Sequence, residues 1–279
     1  MTQDESQHKY EYVVNPAGDT TAARVVRMVG TQKEVLEIGS GPGSITRVLH
    51  DLNHCRITAL EIDPEAIKKV APFCTRVLSA DLNDPCWPDL LEGKRFERVV
   101  AADVLEHLYD PLTVLRAMKS LVDDRGALVI SLPHVGHAAV LACLLDGDFE
   151  YRDWGLLDRT HIRFFGIKNM QTLFEQAELK IVGAECVVRH PEATEFVKHW
   201  HNLSTSMRRV ALSSPFGTVY QVVIKAVPVD AEGDALSLMD MSIPPVSFLE
   251  ARLRRWARRF LNARSRQWIW DCVQGKGFK

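Results

Sequence analysis

Three glycines at alternate positions, Gly39, Gly41 and Gly43, follow an apolar run of Val35, Leu36 and Ile38 that encloses one acid, Glu37. Such a chain leaves a buried strand and turns sharply with its backbone bare, so that a ligand can approach the peptide groups closely. The dinucleotide fingerprint asks for a small residue, Gly or Ala, five positions after its first glycine. That position is Ser44 here, and Pro42 occupies the loop. Two more acids follow at useful spacing. Glu61 stands 22 residues after Gly39, where a carboxylate can hydrogen-bond two ribose hydroxyls, and Asp81 precedes Leu82 further on. Glu37 beside the loop would repel the phosphates of a dinucleotide. Four histidines, His107, His134, His137 and His161, are candidates for a base, because imidazole titrates near neutrality.

Positioning these groups requires a regular frame, and the sequence supplies its signals. Asp19 or Thr20 caps a helix whose apolar stripe is Ala23, Val26 and either Val29 or Gly30. The spacing then predicts a strand over 34–38, a helix from about Ser44 to Leu52, a strand at "RITALEI" and a helix over 64–71. Strands follow at "TRVLSAD" and "FERVVAAD", then a helix over 111–122 and a fifth strand, "GALVISLP", entered through the turn "DDRG". Strands alternating with helices predict an α/β fold with a mostly parallel sheet covered on both faces, whose ligands bind outside the carboxyl ends of the strands. After Pro133 the rhythm breaks for about thirty residues. A helix over 167–178 and strands near 179–188 and at "TVYQVVIKAV", joined by an irregular, partly helical stretch over 189–215, predict a sheet edge that closes in antiparallel fashion.

Taken together, "EIGSGPG", Glu61, Asp81 and the stretch "VVAADVLEHLYDP" resemble the class I S-adenosylmethionine-dependent methyltransferases, over most of residues 10–228. The resemblance implies their Rossmann-like fold, a mostly parallel seven-stranded sheet with an antiparallel last strand. It also implies S-adenosylmethionine as cofactor. Glu37, Gly39, Gly41 and Gly43 would contact its methionine end, as would Ala101, Ala102 and Asp103. Glu61 would bind the ribose diol, and Asp81 with Leu82 the adenine edge. Acids suit this ligand, a sulfonium cation with a zwitterionic tail and no phosphate.

Methyl transfer is an in-line displacement, so a hydroxyl acceptor must be aligned and lose its proton. His107 follows the fourth strand, and His134 and His137 lie in "LPHVGH" after the fifth. Any of them suits the base, while His107 in its "LEHL" turn also suits a purely structural bond. The stretch "DWGLLDRTHIRFFGIKNM" offers Asp158, Arg159, Thr160, His161 and Arg163 beside Trp154, Phe164 and Phe165, suited either to gripping a substrate or to tying the loop to the sheet. "DRTHIRFF" is similar to methyltransferases encoded with bacterial surface-polysaccharide machinery, which points to a hydroxyl on a saccharide or a lipid-linked glycan. The "LEHL" turn also resembles methyltransferases of quinone precursors and other lipophilic phenols. A non-catalytic scaffold that keeps the fold and acts through its tail is the alternative from another class. The i, i+3 pair His134 and His137 lacks acids at matching spacing, so no metal is expected.

The chain has 279 residues, 46% of them hydrophobic, enough for one sizeable core and an appendage. Six widely spaced cysteines without a C-x-x-C pair fit a reduced cytoplasmic setting. The polar N-terminus reads as no signal peptide, and no apolar run is long enough for a membrane span. The expected organisation is a methyltransferase domain over 1–228, an acidic, proline-ended linker over 229–245 and a basic helical tail over 246–279. That tail holds nine Lys or Arg against two acids, leaving the remainder at −9. Leu249, Leu253, Trp256 and Phe260 share one face of the expected helix, with arginines around them. This suits an anionic membrane surface, hence a peripheral location, or a protein partner. Nucleic acid is not expected, because the acidic remainder opposes it.

Overall fold

The structure is a computed structural model and describes residues 8–246. The expected tail helix, with Leu249, Leu253, Trp256 and Phe260, lies outside the described residues.

The chain divides into two compact units. The first, built from the residues up to Val135 together with Tyr151–Val187 and Tyr220–Ser242, carries the sheet. Its strands are β1 (Glu34–Ile38), β2 (Arg56–Glu61), β3 (Arg76–Ser79), β4 (Phe96–Ala102), β5 (Val122–Pro133), β6 (Leu179–Val188) and β7 (Val219–Pro228). They form one seven-stranded sheet in the order β3-β2-β1-β4-β5-β7-β6. The first five strands pair in parallel, and β7 runs antiparallel to β5, as the sequence predicts. Central strands are apolar along their length because helices cover both faces: Val35, Leu36 and Ile38 of β1 and Val99, Val100 and Ala101 of β4 are fully buried.

Helix α1 (Thr21–Val29) begins where Thr20 accepts a hydrogen bond from the Ala23 N–H, so the capping signal is used as read. With α2 (Ser44–Asp51) it packs Val25, Val26, Val29, Ile45 and Leu49 against Val35, Val100 and Val129 of the sheet. Helices α3 (Pro64–Val70) and α4 (Pro111–Ser120) start on Asp63 and Asp110, each followed by a proline at the first helical position. One boundary differs from expectation. "DDRG" does not precede β5 but lies within it, as a bulge where the register with β4 jumps from Phe96↔Val122 to Arg98↔Ala127. The turn chemistry survives inside the strand, since Asp123 accepts from the Arg125 N–H, and a Cβ on Gly126 would lie 2.8 Å from the Phe96 carbonyl.

The second unit comprises Gly136–Glu150 and Val188–Val219. It contains α5 (Ala138–Leu145), a helix absent from the sequence reading, followed in chain order by α6 (Ile167–Gln176) of the first unit and then by α7 (Val197–Asn202) and α8 (Thr205–Ala211). Ala138 and Ala142 of α5 pack on Trp200, Leu203 and Ala211. His199 is clamped between Asp146 and Glu150, at 2.7 and 2.8 Å. Burial alone would lower its pKa, but the two carboxylates outweigh that and leave it raised.

Residues 229–242 of the expected linker lie along the edge strand β6. Leu236 N–H donates to the Ile181 carbonyl at 2.7 Å, Leu238 is fully buried, and Cys186 reaches Met241 at 3.8 Å. An open strand edge is thereby covered. Among the described residues no helix is long and apolar enough to cross a membrane.

Candidate functional site

The strand order reverses between β1 and β4, and the loops at the carboxyl ends of these strands gather most of the chemistry-bearing residues. Gly39, Gly41 and Gly43 have φ of +65°, +55° and +87°. At Gly39 a Cβ would lie 2.7 Å from Val104, whereas at Gly41 nothing stands within 4 Å, so the backbone there faces open space. The loop is fixed from below: the Gly39 N–H donates to the Leu60 carbonyl at 2.8 Å and the Gly41 N–H to Glu61 Oε2 at 2.7 Å. Glu61 Oε1 accepts from the N–H groups of Ile62 and Asp63, so this carboxylate joins the glycine loop to the end of β2.

Glu37, on β1 beneath the loop, is 3% exposed, and its Oε2 has no hydrogen-bond partner. Burial, with the charge of Glu61 adding, pushes its carboxyl up to about 7. An orphaned buried carboxylate oxygen next to an uncovered glycine backbone fits a ligand that brings its own donor or positive charge. Asp81 lies exposed after β3, held in a turn where Oδ1 accepts from the Asn83 N–H, and Leu82 is half-buried beside it. Ala102 ends β4. Asp103, just beyond, adopts a left-handed φ of +56° and accepts from Ser131 Oγ at 2.6 Å and Gln221 Nε2 at 2.9 Å. Burial raises its pKa against both hydrogen bonds. Gln221 in turn accepts from the Thr21 hydroxyl. Tyr12, about half exposed, comes close enough to feel the charges of Asp103 and Glu37.

The stretch after Asp103 forms a short turn of 3-10 helix, Leu105–His107, and the loop over 158–163 docks on it. The N–H groups of Ile162 and Arg163 donate to the Glu106 carbonyl at 2.9 and 3.0 Å, and His107 Nδ1 meets the Thr160 carbonyl at 3.1 Å. Two predicted residues, His107 and His161, thus come together with ring centroids 4.8 Å apart. His161 is buried, with Nδ1 at 3.3 Å from the Leu156 carbonyl and Nε2 at 3.9 Å from Glu106 Oε1. Burial and the neighbouring His107 hold its pKa down at about 4. Glu106 is fully buried and neither carboxylate oxygen has a partner. Its pKa stands well above the ordinary value, through burial first and the charges of Asp103 and Asp158 second.

The other histidines are placed differently. His134, at the end of β5, is 5% exposed and kept neutral by burial, at about 4. His137 belongs to the second unit and spends both nitrogens on structure: Nδ1 accepts from the Ala139 N–H at the start of α5, and Nε2 meets the Arg189 carbonyl at 2.8 Å. In the loop after α5 some of the expected residues tie the loop down and others stand at the surface. Asp158 is buried, accepting from the Thr160 N–H and hydroxyl and from Lys9. Trp154 is 56% exposed and Arg159 pairs with Asp153 at the surface, while Arg163 donates to the Tyr109 carbonyl.

Sequence reasoning did not single out Glu106, Ser131, Gln221 or Tyr12. A charged residue between leucines in "VLEHL" is the available signal for Glu106; for the others none precedes knowledge of the strand order.

Comparison with known proteins fits this geometry. The profile of the family described as methyltransferase domain matches residues 12–184, more than half of the chain. The chain is 28% identical over 157 residues to a ubiquinone biosynthesis O-methyltransferase of Xanthomonas campestris, covering 51% of this chain and 64% of the relative, less than two thirds of its length. Among solved structures it is similar in fold to a methyltransferase in complex with the Trm112 activator of Haloferax volcanii, with a TM-score of 0.51 and 17% identity over 75% of this chain and 89% of that one. Magnesium protoporphyrin IX methyltransferase of Synechocystis, solved with bound S-adenosylhomocysteine, gives a TM-score of 0.51 and 14% identity over 75% and 83%. With its seven-stranded sheet, its glycine loop and the acids below it, the chain belongs to the methyltransferase-domain family.

Proposed function

We propose that the protein methylates a hydroxyl oxygen of a lipophilic phenol of the quinone-precursor type. The observation that carries the reaction type is the pair of imidazoles, His107 and His161, beside the orphaned carboxylate of Glu106, on the turn that leaves the cofactor strand β4. Carbonyl oxygens only accept, so each Nδ1 bonded to one carries the proton and each Nε2 keeps its lone pair. An Nε2 lone pair can receive the proton that an acceptor hydroxyl gives up on becoming a nucleophile.

S-adenosylmethionine, when bound, supplies an electrophilic methyl group. Glu37 and the open backbone at Gly41 would hold its amino-acid end and Glu61 its ribose, with Asp81 and Leu82 toward the adenine. Asp103, locked by Ser131 and Gln221, keeps the end of β4 rigid where cofactor and acceptor must meet. The relatives named for ubiquinone biosynthesis support a phenolic acceptor.

A second reading, a saccharide or lipid-linked glycan, is favoured by exposed Trp154 and the surface pair Arg159 and Asp153, a ring and a polar fork of the kind that grip sugars. A basic tail would hold either lipid-borne acceptor near an anionic membrane. The test is methyl transfer from radiolabelled S-adenosylmethionine to a panel of polyprenyl catechols and of lipid-linked and free saccharides, with product mass. Label in the catechol carries the first reading and label in a saccharide the second. S-adenosylhomocysteine binding without label in any acceptor would leave the non-catalytic scaffold.

A further inference from the structure

We propose that Glu106, His107 and His161 form a binding site for a divalent first-row transition-metal cation. Their ligand atoms lie within 4.8 Å of one another, so that small side-chain rotations bring all three to one ion. Two imidazole nitrogens and one carboxylate suit Zn²⁺, Mn²⁺ or Co²⁺, whereas Mg²⁺ and Ca²⁺ favour all-oxygen shells.

Three features make this more than a coincidence of polar side chains. Glu106 is fully buried with no hydrogen bond to either oxygen, a costly arrangement that a cation would relieve. Both histidines are oriented from behind, His107 by the Thr160 carbonyl at 3.1 Å and His161 by the Leu156 carbonyl at 3.3 Å, which fixes the tautomer a metal requires. His107 is half-buried while its two partners are buried, so the cluster has one side toward solvent through which ion and acceptor can enter. The ligands come from "LEH" and "TH", 54 residues apart from His107 to His161, a separation that no short metal-ligand spacing covers. His137 has both nitrogens occupied elsewhere. Another group among the described residues, Cys143, Asp148 and His199, is unsuitable because both nitrogens of His199 already face Asp146 and Glu150.

Three protein ligands leave coordination positions open. On the proposed O-methylation, two adjacent acceptor oxygens, as in a catechol or a vicinal diol, would fill them, and the cation would take the place of the imidazoles as activator, lowering the pKa of the hydroxyl so that its proton leaves to solvent. The cation site itself does not require that reading.

The test is titration of the chelator-treated full chain with Co²⁺, followed by visible ligand-field absorption, and with Zn²⁺ by calorimetry. S-adenosylhomocysteine binding is measured on the same samples. The expected result is saturation at one equivalent, with Glu106→Gln and His161→Ala each weakening it by more than about tenfold while homocysteine-compound binding is retained. His107→Gln, at the half-buried position, gives the same reading should the buried variants fail to fold. No saturable binding, or binding equal in wild type and the variants that fold, overturns the site. Metal binding without S-adenosylhomocysteine binding would instead count against the cofactor assignment and leave the cation site standing.

Discussion

Replacing Gly39 and Gly41 separately by alanine should produce opposite phenotypes two residues apart. At Gly39 the left-handed φ of +65° costs an alanine about 1 kcal/mol. Its Cβ would also lie 2.7 Å from Val104 Cγ2, and Val104 is only 8% exposed, so it cannot swing aside into water. Overpacking of this kind adds about 1–3 kcal/mol, for a total near 2–4 kcal/mol. At Gly41, φ is +55° and nothing stands within 4 Å, so only the backbone cost of about 1 kcal/mol applies. That open space is where the cofactor must approach, and a methyl group there should weaken S-adenosylhomocysteine binding by about tenfold or more. Urea unfolding followed by circular dichroism, with calorimetric titration of both variants, separates the two effects. Equal urea midpoints for the two variants, or wild-type affinity in Gly41→Ala, would refute the assignment of Gly39 to packing and Gly41 to the ligand.

Other expectations follow from the titrating groups and caps. Glu37 sits at about 7 in the folded chain against an ordinary 4.5, so the native state holds its proton longer; its own contribution to ligand-free stability should be greatest below about 4.5 and be lost, by on the order of 3 kcal/mol, as pH rises through 7. Glu37→Gln should flatten that slope in urea titrations across this range, and an unchanged slope would remove Glu37 as its source. His199 works in the same direction with a different readout: its stabilisation of the second unit is complete below its ordinary 6.5 and is lost as pH rises through its raised value, so amide protection in α5 and α7, relative to the intrinsic base-catalysed exchange rate, should fall on the alkaline side and stay level there in His199→Gln. His137→Ala should destabilise the start of α5 by about 1 kcal/mol and His137→Asn by less, with methyl transfer retained in both; loss of turnover in a folded His137→Asn protein would return His137 to the base candidates.

Much of this was legible in the sequence because local signals and tertiary demands agree. Thr20 caps α1, Asp63 and Asp110 precede prolines that open α3 and α4, and the mostly apolar runs within β1, β4 and β5 announce strands covered on both faces. Helix α5 escaped because "AAVLACLL" is apolar on every side and carries no period, and its cap is a histidine rather than Ser, Thr, Asp or Asn. "DDRG" has the composition of a turn and makes one, but inside a strand, which only the pairing with β4 reveals. Residues 229–242 have the composition of a linker, yet Leu236 and Leu238 anchor them to β6 and α6. At the site, the acids and glycines along one cofactor edge are near neighbours of strand ends and could be read in order. The meeting of Glu106 and His107 with His161 depends on a loop that leaves and returns across the second unit's residues in the chain, and no spacing rule reaches that far.

The central claim rests on the ligand of the glycine loop. Calorimetric titration of the purified chain with S-adenosylhomocysteine and, in parallel, with NAD measures it directly. Saturable one-to-one binding of S-adenosylhomocysteine and none of NAD is the expected result. Binding of NAD, or of neither compound by folded protein, would contradict it.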